Sequence, residues 1–183
     1  MKITIGGLSG TGTSTIGKSL AKHYNFEFVS GGNFARKLAM DNGMTMEERD
    51  KFLLEHPEVN DAEKIDGMQK EYGSTKDNFI LESRLGWFNV PDSVKIKLHC
   101  DDEVRFSRTS KQDPERFGTT IEDFDVTKKK SLEREENHRK SIEHWYGIKD
   151  LNDDSHFDLI IDTTSIGVEE VLQKCIEYVE GRK

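Results

Sequence analysis

The sequence contains little proline, little cysteine and no long apolar segment. Three prolines and two cysteines occur among its 183 residues. Apolar segments recur throughout this proline-poor chain, which argues against disorder, and two distant cysteines provide neither a disulfide framework nor metal-ligand spacing. The longest apolar runs fall far short of the about 20 residues that cross a bilayer, so we expect no transmembrane helix. Met1–Ile5 lead directly into glycines without the apolar core of a signal peptide, which predicts a cytoplasmic protein.

The sequence also has fewer basic than acidic residues. The chain has 27 Lys and Arg against 35 Asp and Glu, which gives a formal charge of −8. Such a balance disfavours a general nucleic-acid binder or a protein that binds anionic membranes. An anionic ligand therefore needs a local group of basic side chains.

Strand and helix patterns alternate along one continuous domain. Short apolar runs near residues 3–5, 26–29, 79–81, 94–98 and 157–161 predict about five strands, with helix patterns between them. This alternation predicts a three-layer α/β fold, in which a parallel sheet has helices on both faces. Short helix patterns over about residues 31–75 predict a small polar insert. The strand pattern at 94–98 alternates apolar residues with lysine, which predicts one more exposed face.

A glycine-rich segment lies where the first strand pattern ends and a helix pattern begins. Successive backbone N–H groups of such a loop can surround phosphate oxygens, and the helix N-terminus adds partial positive charge. Against the pattern G-x-x-x-x-G-K-[ST], Gly7, Gly12 and Ser14 match, whereas Thr13 takes the lysine position. We expect ATP phosphates here, with Ser14 as a Mg²⁺ ligand, although an ordinary turn is an alternative. The predicted ATP-binding residues are Gly7, Leu8, Ser9, Gly10, Thr11, Gly12, Thr13, Ser14 and Thr15.

Charged side chains follow the second and third strand patterns. Arg36 comes shortly after the second strand, and Glu82 and Arg84 end the third. Since carboxyl ends of parallel strands meet at one edge, these groups should face the glycine loop. Arg36 is predicted to clamp an acceptor phosphate, and Glu82 to hold Mg²⁺ through water. A surface salt bridge of Arg36 and a Glu82–Arg84 ion pair are the alternatives.

A polar segment around residues 112–118 has arginines on both sides. These are Arg105, Arg108, Arg134 and Arg139. The pattern predicts a lid over about residues 109–140, because lids exclude water during phosphoryl transfer and arginines neutralise the transferred group. A solvated, charged helix hairpin is the alternative.

The chain resembles the nucleoside monophosphate kinases, and among them the archaeal-type cytidylate kinases, over nearly its whole length. The family's G-x-x-G-x-G-T-x-T loop, where threonine commonly replaces lysine, is similar to residues 7–15. Its D-x-x-Q, V-R-x-x-R and D-L-x-I-D-T motifs are similar to residues 66–69, 104–108 and 158–163. Its L-E-G-R-L motif is similar to residues 81–85, with Ser83 at the usual glycine. The A-G-W that follows is shortened here to Gly86 and Trp87.

This resemblance implies a P-loop kinase fold and transfer of the γ-phosphoryl group from ATP to CMP, with Mg²⁺ and with dCMP as a further candidate acceptor. The arginines around the predicted lid would be catalytic, and Ser14 and Glu82 would hold the metal. The implied CMP-binding residues are Ser30, Arg36, Asp66, Gln69 and Arg84.

The expected partners are small nucleotides, without nucleic acid or membrane, and a monomer is the default. Two alternatives stay open. The first is a kinase for another small acceptor, such as UMP, AMP or a non-nucleotide. The second is a nucleotide-binding regulator without catalysis, suggested by Thr13 and the shortened segment.

Overall fold

A five-stranded parallel sheet forms the centre of the protein. The computed structural model describes residues 1–56, 58–110 and 124–182. The strands are β1 (Lys2–Gly7), β2 (Glu27–Ser30), β3 (Phe79–Glu82), β4 (Val94–His99) and β5 (Leu159–Asp162). Their order is β2-β3-β1-β4-β5, and every neighbouring pair is parallel. The predicted α/β fold with about five parallel strands is confirmed.

Helices connect these strands. They are α1 (Thr13–Tyr24), α2 (Gly31–Asp41), α3 (Met46–Glu55), α4 (Asp61–Thr75), α5 (Gly86–Asn89), α6 (Asp102–Ser110), α7 (Phe124–Tyr146) and α8 (Val168–Glu180). The predicted insert corresponds to α2, α3 and α4 between β2 and β3. The centre of the predicted lid lies outside the described residues, whereas its flanks are the end of α6 and most of α7. No helix in the described ranges is long and apolar enough to cross a membrane.

One face of the sheet packs against α1 and α8. Alternate residues of the strands contribute to this core, as the period-two geometry of a strand requires. They are Ile3, Ile5, Ile80, Ile96, Leu98 and Ile161. Ile16 and Leu20 of α1 and Val171, Cys175 and Val179 of α8 complete the cluster. Cys100 and Cys175 are both buried free thiols.

The face of β4 that carries Lys95, Lys97 and His99 is more exposed than the face of Ile96 and Leu98, as the alternating pattern predicts. The Lys97 side chain is 11% exposed, and its amino group lies 2.6 Å from Asp154 and donates to the carbonyl of Asn152. A loop after α7 therefore covers this position. The prediction of one more exposed face is confirmed, although the loop that returns over the strand covers Lys97 itself, which sequence alternation does not reveal.

Helix α4 packs closely against the segment that follows α5. A Cβ at Gly73 would lie 2.7 Å from Cγ2 of Val90. A side chain at this position would push α4 away from α5. The glycine thus brings the predicted acceptor residues of α4 beside the segment that follows Arg84.

Candidate phosphoryl-transfer site

The glycine loop connects β1 to the N-terminus of α1. Gly10 and Gly12 have φ angles of 85° and 97°, a region that side chains rarely adopt. A Cβ at Gly10 would lie 2.2 Å from the carbonyl oxygen of Arg105, while no atom of the described residues lies within 4 Å of one at Gly12. No side chain in the described part of the chain caps α1. The open side of the loop and the first N–H groups of α1 thus fit an anion such as the phosphates of ATP.

Two hydroxyl groups of the loop converge on Glu82 at the end of β3. Thr13 and Ser14 donate to the same carboxylate oxygen over 2.7 Å and 2.5 Å. The structure therefore brings together the two predicted metal residues, Ser14 and Glu82. Hydroxyl and carboxylate oxygens are hard ligands of the kind that Mg²⁺ takes alongside phosphate and water, so this donor set fits the ion. A Glu82–Arg84 ion pair is not found among the described residues.

Arg84 lies two residues beyond Glu82 in positively charged surroundings. Burial, then the charges of Arg134 and Arg105, lower the pKa of Arg84, and Glu135 only partly offsets them. Arg84, predicted to bind CMP, and Arg134, predicted to be catalytic, are therefore near enough to repel each other. A bound phosphate dianion would relieve this repulsion.

His138 lies beside these arginines as a neutral imidazole at pH 7, and the sequence pattern gave it no role. Burial, and after it the charges of Arg84 and Arg134, lower the pKa of His138 to about 4. Its Nδ1 is buried without a partner in the described residues. The available signal is spacing, since His138 lies one turn after Arg134 and shares its side of α7. We call Arg84, Arg134 and His138 the cationic cluster.

Arg105 supports the loop from α6 rather than facing open space. The side chain is 1% exposed, and its guanidinium forms two bonds of 2.7 and 3.0 Å with Glu135. It also donates to Asp102 over 2.7 Å and to the carbonyl of Ser9 over 3.4 Å. Because these bonds occupy the guanidinium, the geometry favours a positioning role over the predicted contact with the transferred phosphate.

Arg108 connects the glycine loop to the segment after β5. It donates to the carbonyl and hydroxyl oxygens of Thr163 over 2.7 and 3.1 Å. The Thr163 hydroxyl in turn lies 3.1 Å from the carbonyl oxygen of Thr11. Arg108 thereby holds the loop after β5 against the glycine loop.

Arg139 is not brought to the other arginines. It is 44% exposed and pairs with Glu136 and Glu143 on the surface of α7. It lies five positions after Arg134, which places it on a different side of the helix. For Arg139 the structure agrees with the alternative of a solvated charged helix.

Ser30 and Arg36, the predicted acceptor residues at the end of β2 and after it, differ in whether their side chains can bind a ligand. The Ser30 side chain caps α2 and bonds Asn33 in a capping box. Arg36 is exposed beside Gly32, where a Cβ would lie 3.3 Å from its guanidinium. Arg36 forms no ion pair in the ranges that the structure describes, so the surface salt bridge considered for it is not found. Its guanidinium is available to an anion.

Asp66 and Gln69 lie in a buried polar cluster together with two residues that the sequence analysis gave no role. Asp66 accepts from the hydroxyl of Tyr146 over 2.7 Å and from the amide of Asn89 over 2.7 Å. It also accepts from the Gln69 amide over 3.3 Å. We call Asp66, Gln69, Asn89 and Tyr146 the amide cluster. The cluster joins α4, α5 and the end of α7.

A phosphate-binding loop at the carboxyl edge of a parallel sheet is the arrangement of the P-loop kinases. Residues 3–130 match a family model described as an AAA domain. Shikimate kinase from Acinetobacter baumannii has the same fold, with a TM-score of 0.63 at 17% identity. The similarity covers 100% of this chain and 94% of that protein.

Comparison of sequences identifies the family more closely than comparison of folds does. The cytidylate kinase of Archaeoglobus fulgidus is 34% identical over 184 residues, covering 100% of this chain and 97% of that protein. The cytidylate kinase of Methanocaldococcus jannaschii is 39% identical over 188 residues, with coverage of 100% and 99%. The chain belongs to the cytidylate kinase family.

Proposed function

We propose that this protein transfers the γ-phosphoryl group of ATP to CMP and releases ADP and CDP. One observation carries the proposal: the hydroxyls of Thr13 and Ser14 meet Glu82, two residues before Arg84. A loop suited to the phosphates of the donor therefore adjoins a cation suited to the phosphate of the acceptor. The cytidylate kinases that match the full chain support CMP as that acceptor.

On the donor side, residues 7–15 surround the phosphates of ATP with backbone N–H groups. Ser14 directly, and Glu82 through water, would hold Mg²⁺. When bound, the ion neutralises charge on the β- and γ-phosphates, which matters more here because Thr13 replaces the usual lysine. The segment at Thr164 and Ser165, which Arg108 holds through Thr163, borders the adenine.

On the acceptor side, Arg36 and Arg84 bind the phosphate of CMP, assisted by Arg134 and His138. Positioning and charge neutralisation provide the rate enhancement, so a dedicated general base is not required. Ser30 orients the N-terminus of α2, and the amide cluster faces the nucleoside. Arg105 positions the loop, and Arg139 contributes no contact in this arrangement.

A cytoplasmic monomer that acts on small nucleotides, without nucleic acid or membrane, completes the proposal. The site favours catalysis over a regulator without activity, because the residues for both phosphates lie at one edge of the sheet.

An ADP-release assay with CMP, dCMP, UMP and AMP tests the proposal. We expect CMP to give the highest kcat/KM, and Arg36→Ala and Arg84→Ala each to raise the KM for CMP about tenfold or more with little change for ATP. ATP binding without turnover of any acceptor would refute the kinase function. An unchanged KM for CMP in both variants would refute the acceptor site.

A further inference from the structure

The amide cluster has more hydrogen-bonding capacity than the protein uses. Asp66, Gln69 and Asn89 are 6%, 2% and 3% exposed. Asp66 accepts from three neutral donors and forms no ion pair with any described lysine or arginine. Phosphoryl transfer does not account for the amide cluster. Its residues Asn89 and Tyr146 follow the residues of the cationic cluster along α5 and α7.

The carboxylate determines which way both amides point. An ionised carboxylate only accepts hydrogen bonds, so the amide nitrogens of Gln69 and Asn89 must face Asp66. Their carbonyl oxygens are the atoms left over. Both oxygens are buried and have no partner among the described residues. Buried acceptors without donors are rare and unfavourable, which indicates that a ligand or a water supplies the missing donors.

We propose that Asn89 is a specificity-determining residue whose side-chain oxygen, together with that of Gln69, accepts hydrogen bonds from the exocyclic amino group of cytosine. This inference rests on the proposed CMP kinase function. Cytosine carries an amino donor at the ring position where uracil carries a carbonyl acceptor. Two acceptor oxygens attract the first group and repel the second, so the same pair distinguishes CMP from UMP.

The position of the cluster agrees with this role. His138 and Tyr146 are eight residues apart on α7, which corresponds to about 12 Å along a helix. Asn89 follows Arg84 by five residues through α5. A nucleoside monophosphate whose phosphate lies at the cationic cluster therefore extends its base toward the amide cluster. Tyr146 is a positioning residue, because its hydroxyl holds Asp66 and Asp66 orients both amides.

Acceptor analogues test the inference directly in the full-length enzyme. The probes are CMP, UMP and the ribonucleotide of 2-pyrimidinone, which has neither an amino group nor an oxygen at the position in question. In the wild type, removal of the amino group should lower kcat/KM at least about tenfold, mainly through the KM for the acceptor. In Asn89→Ala, the ratio between CMP and the pyrimidinone nucleotide should fall below about threefold. UMP should be the poorest substrate of the wild type and should gain relative to CMP in the variant.

Asn152→Ala is the matched control, because it removes the same side chain from a loop outside both clusters, and it should keep the wild-type ratio. Equal use of CMP and the pyrimidinone nucleotide by the wild type overturns the inference without any variant. A ratio that Asn89→Ala leaves unchanged also overturns it, since a structural role or a bound water would then explain the free oxygens. Absence of CMP turnover in the wild type refutes the proposed function, whereas turnover without discrimination refutes this inference alone.

Discussion

Arg105 and Arg139 have the same side chain in opposite surroundings. Arg105 is 1% exposed and pairs with Glu135, whose side chain is 13% exposed. Arg139 is 44% exposed and pairs with Glu136 and Glu143. Loss of a buried partner leaves the other charge without water or counter-ion, whereas solvent replaces a partner at the surface.

Arg105→Met should therefore destabilise the protein strongly. We expect its free energy of unfolding to fall by about 3 kcal/mol, because Glu135 would stay buried without a partner. Arg139→Met should change the free energy much less. Urea unfolding at neutral pH measures both. Equal, small losses in the two variants would show that the Arg105–Glu135 pair does not support the fold.

His138 makes stability depend on pH. Burial and two nearby arginines lower its pKa to about 4 in the folded protein, whereas an unfolded histidine titrates near 6.5. Between these values the unfolded chain binds a proton that the folded chain does not. Stability from this residue is thus fully present above about pH 6.5 and is lost as the pH falls toward 4.

His138→Gln should remove this part of the pH dependence. Urea unfolding between pH 7 and 4.5 should show a smaller loss of stability in the variant than in the wild type, by on the order of 2 kcal/mol. His144→Gln, on the exposed side of the same helix, should follow the wild type. Parallel curves for all three proteins would mean that His138 titrates normally. A saturating phosphate ligand should flatten the wild-type curve, because its charge favours the protonated imidazole.

At the scale of elements, α7 connects both parts of the acceptor site. Arg134 and His138 lie near Arg84 at one part of the helix, and Tyr146 bonds Asp66 of α4 at its end. Desolvation, followed by the hydrogen bond to Asp66, raises the pKa of Tyr146. The hydroxyl therefore stays protonated and donates throughout the physiological pH range.

Tyr146→Phe should loosen the contact between α7 and α4 while keeping the ring against Phe88. A hydrogen bond to a charged group would be lost, so we expect a decrease of about 2 kcal/mol in the free energy of unfolding. The KM for CMP should rise and that for ATP should stay the same. Tyr178→Phe on α8 is the control for the loss of a hydroxyl. A variant with wild-type stability and KM would show that α7 and α4 are not linked through this bond.

The sequence predicts those elements whose signal is local. The buried strand β3 and the glycine loop each follow from a few adjacent residues. The spacing of His138 from Arg134 could have indicated from the sequence that the two lie together. The hydrogen bond between Asn89 and Asp66 could not be predicted, because it depends on how closely α4 packs at Gly73. The burial of Arg105 was equally hidden, since its partner Glu135 lies 30 residues away on another helix.

At the scale of the whole molecule, charge is separated rather than simply negative. The chain has a net charge of −8, yet the three side chains of the cationic cluster lie together just after the end of β3. An acidic surface that contains a basic site admits small phosphorylated ligands and repels large polyanions. This distribution agrees with nucleotide substrates.

Transfer of labelled phosphate is the most direct test of the central claim, that one sheet edge holds the donor and the acceptor together. With γ-labelled ATP, Mg²⁺ and CMP, the wild type should place the label in CDP, with one ADP formed for each CDP. Glu82→Gln should need a higher Mg²⁺ concentration for the same rate. Release of the label as inorganic phosphate, or ATP binding without labelled CDP, would contradict the account.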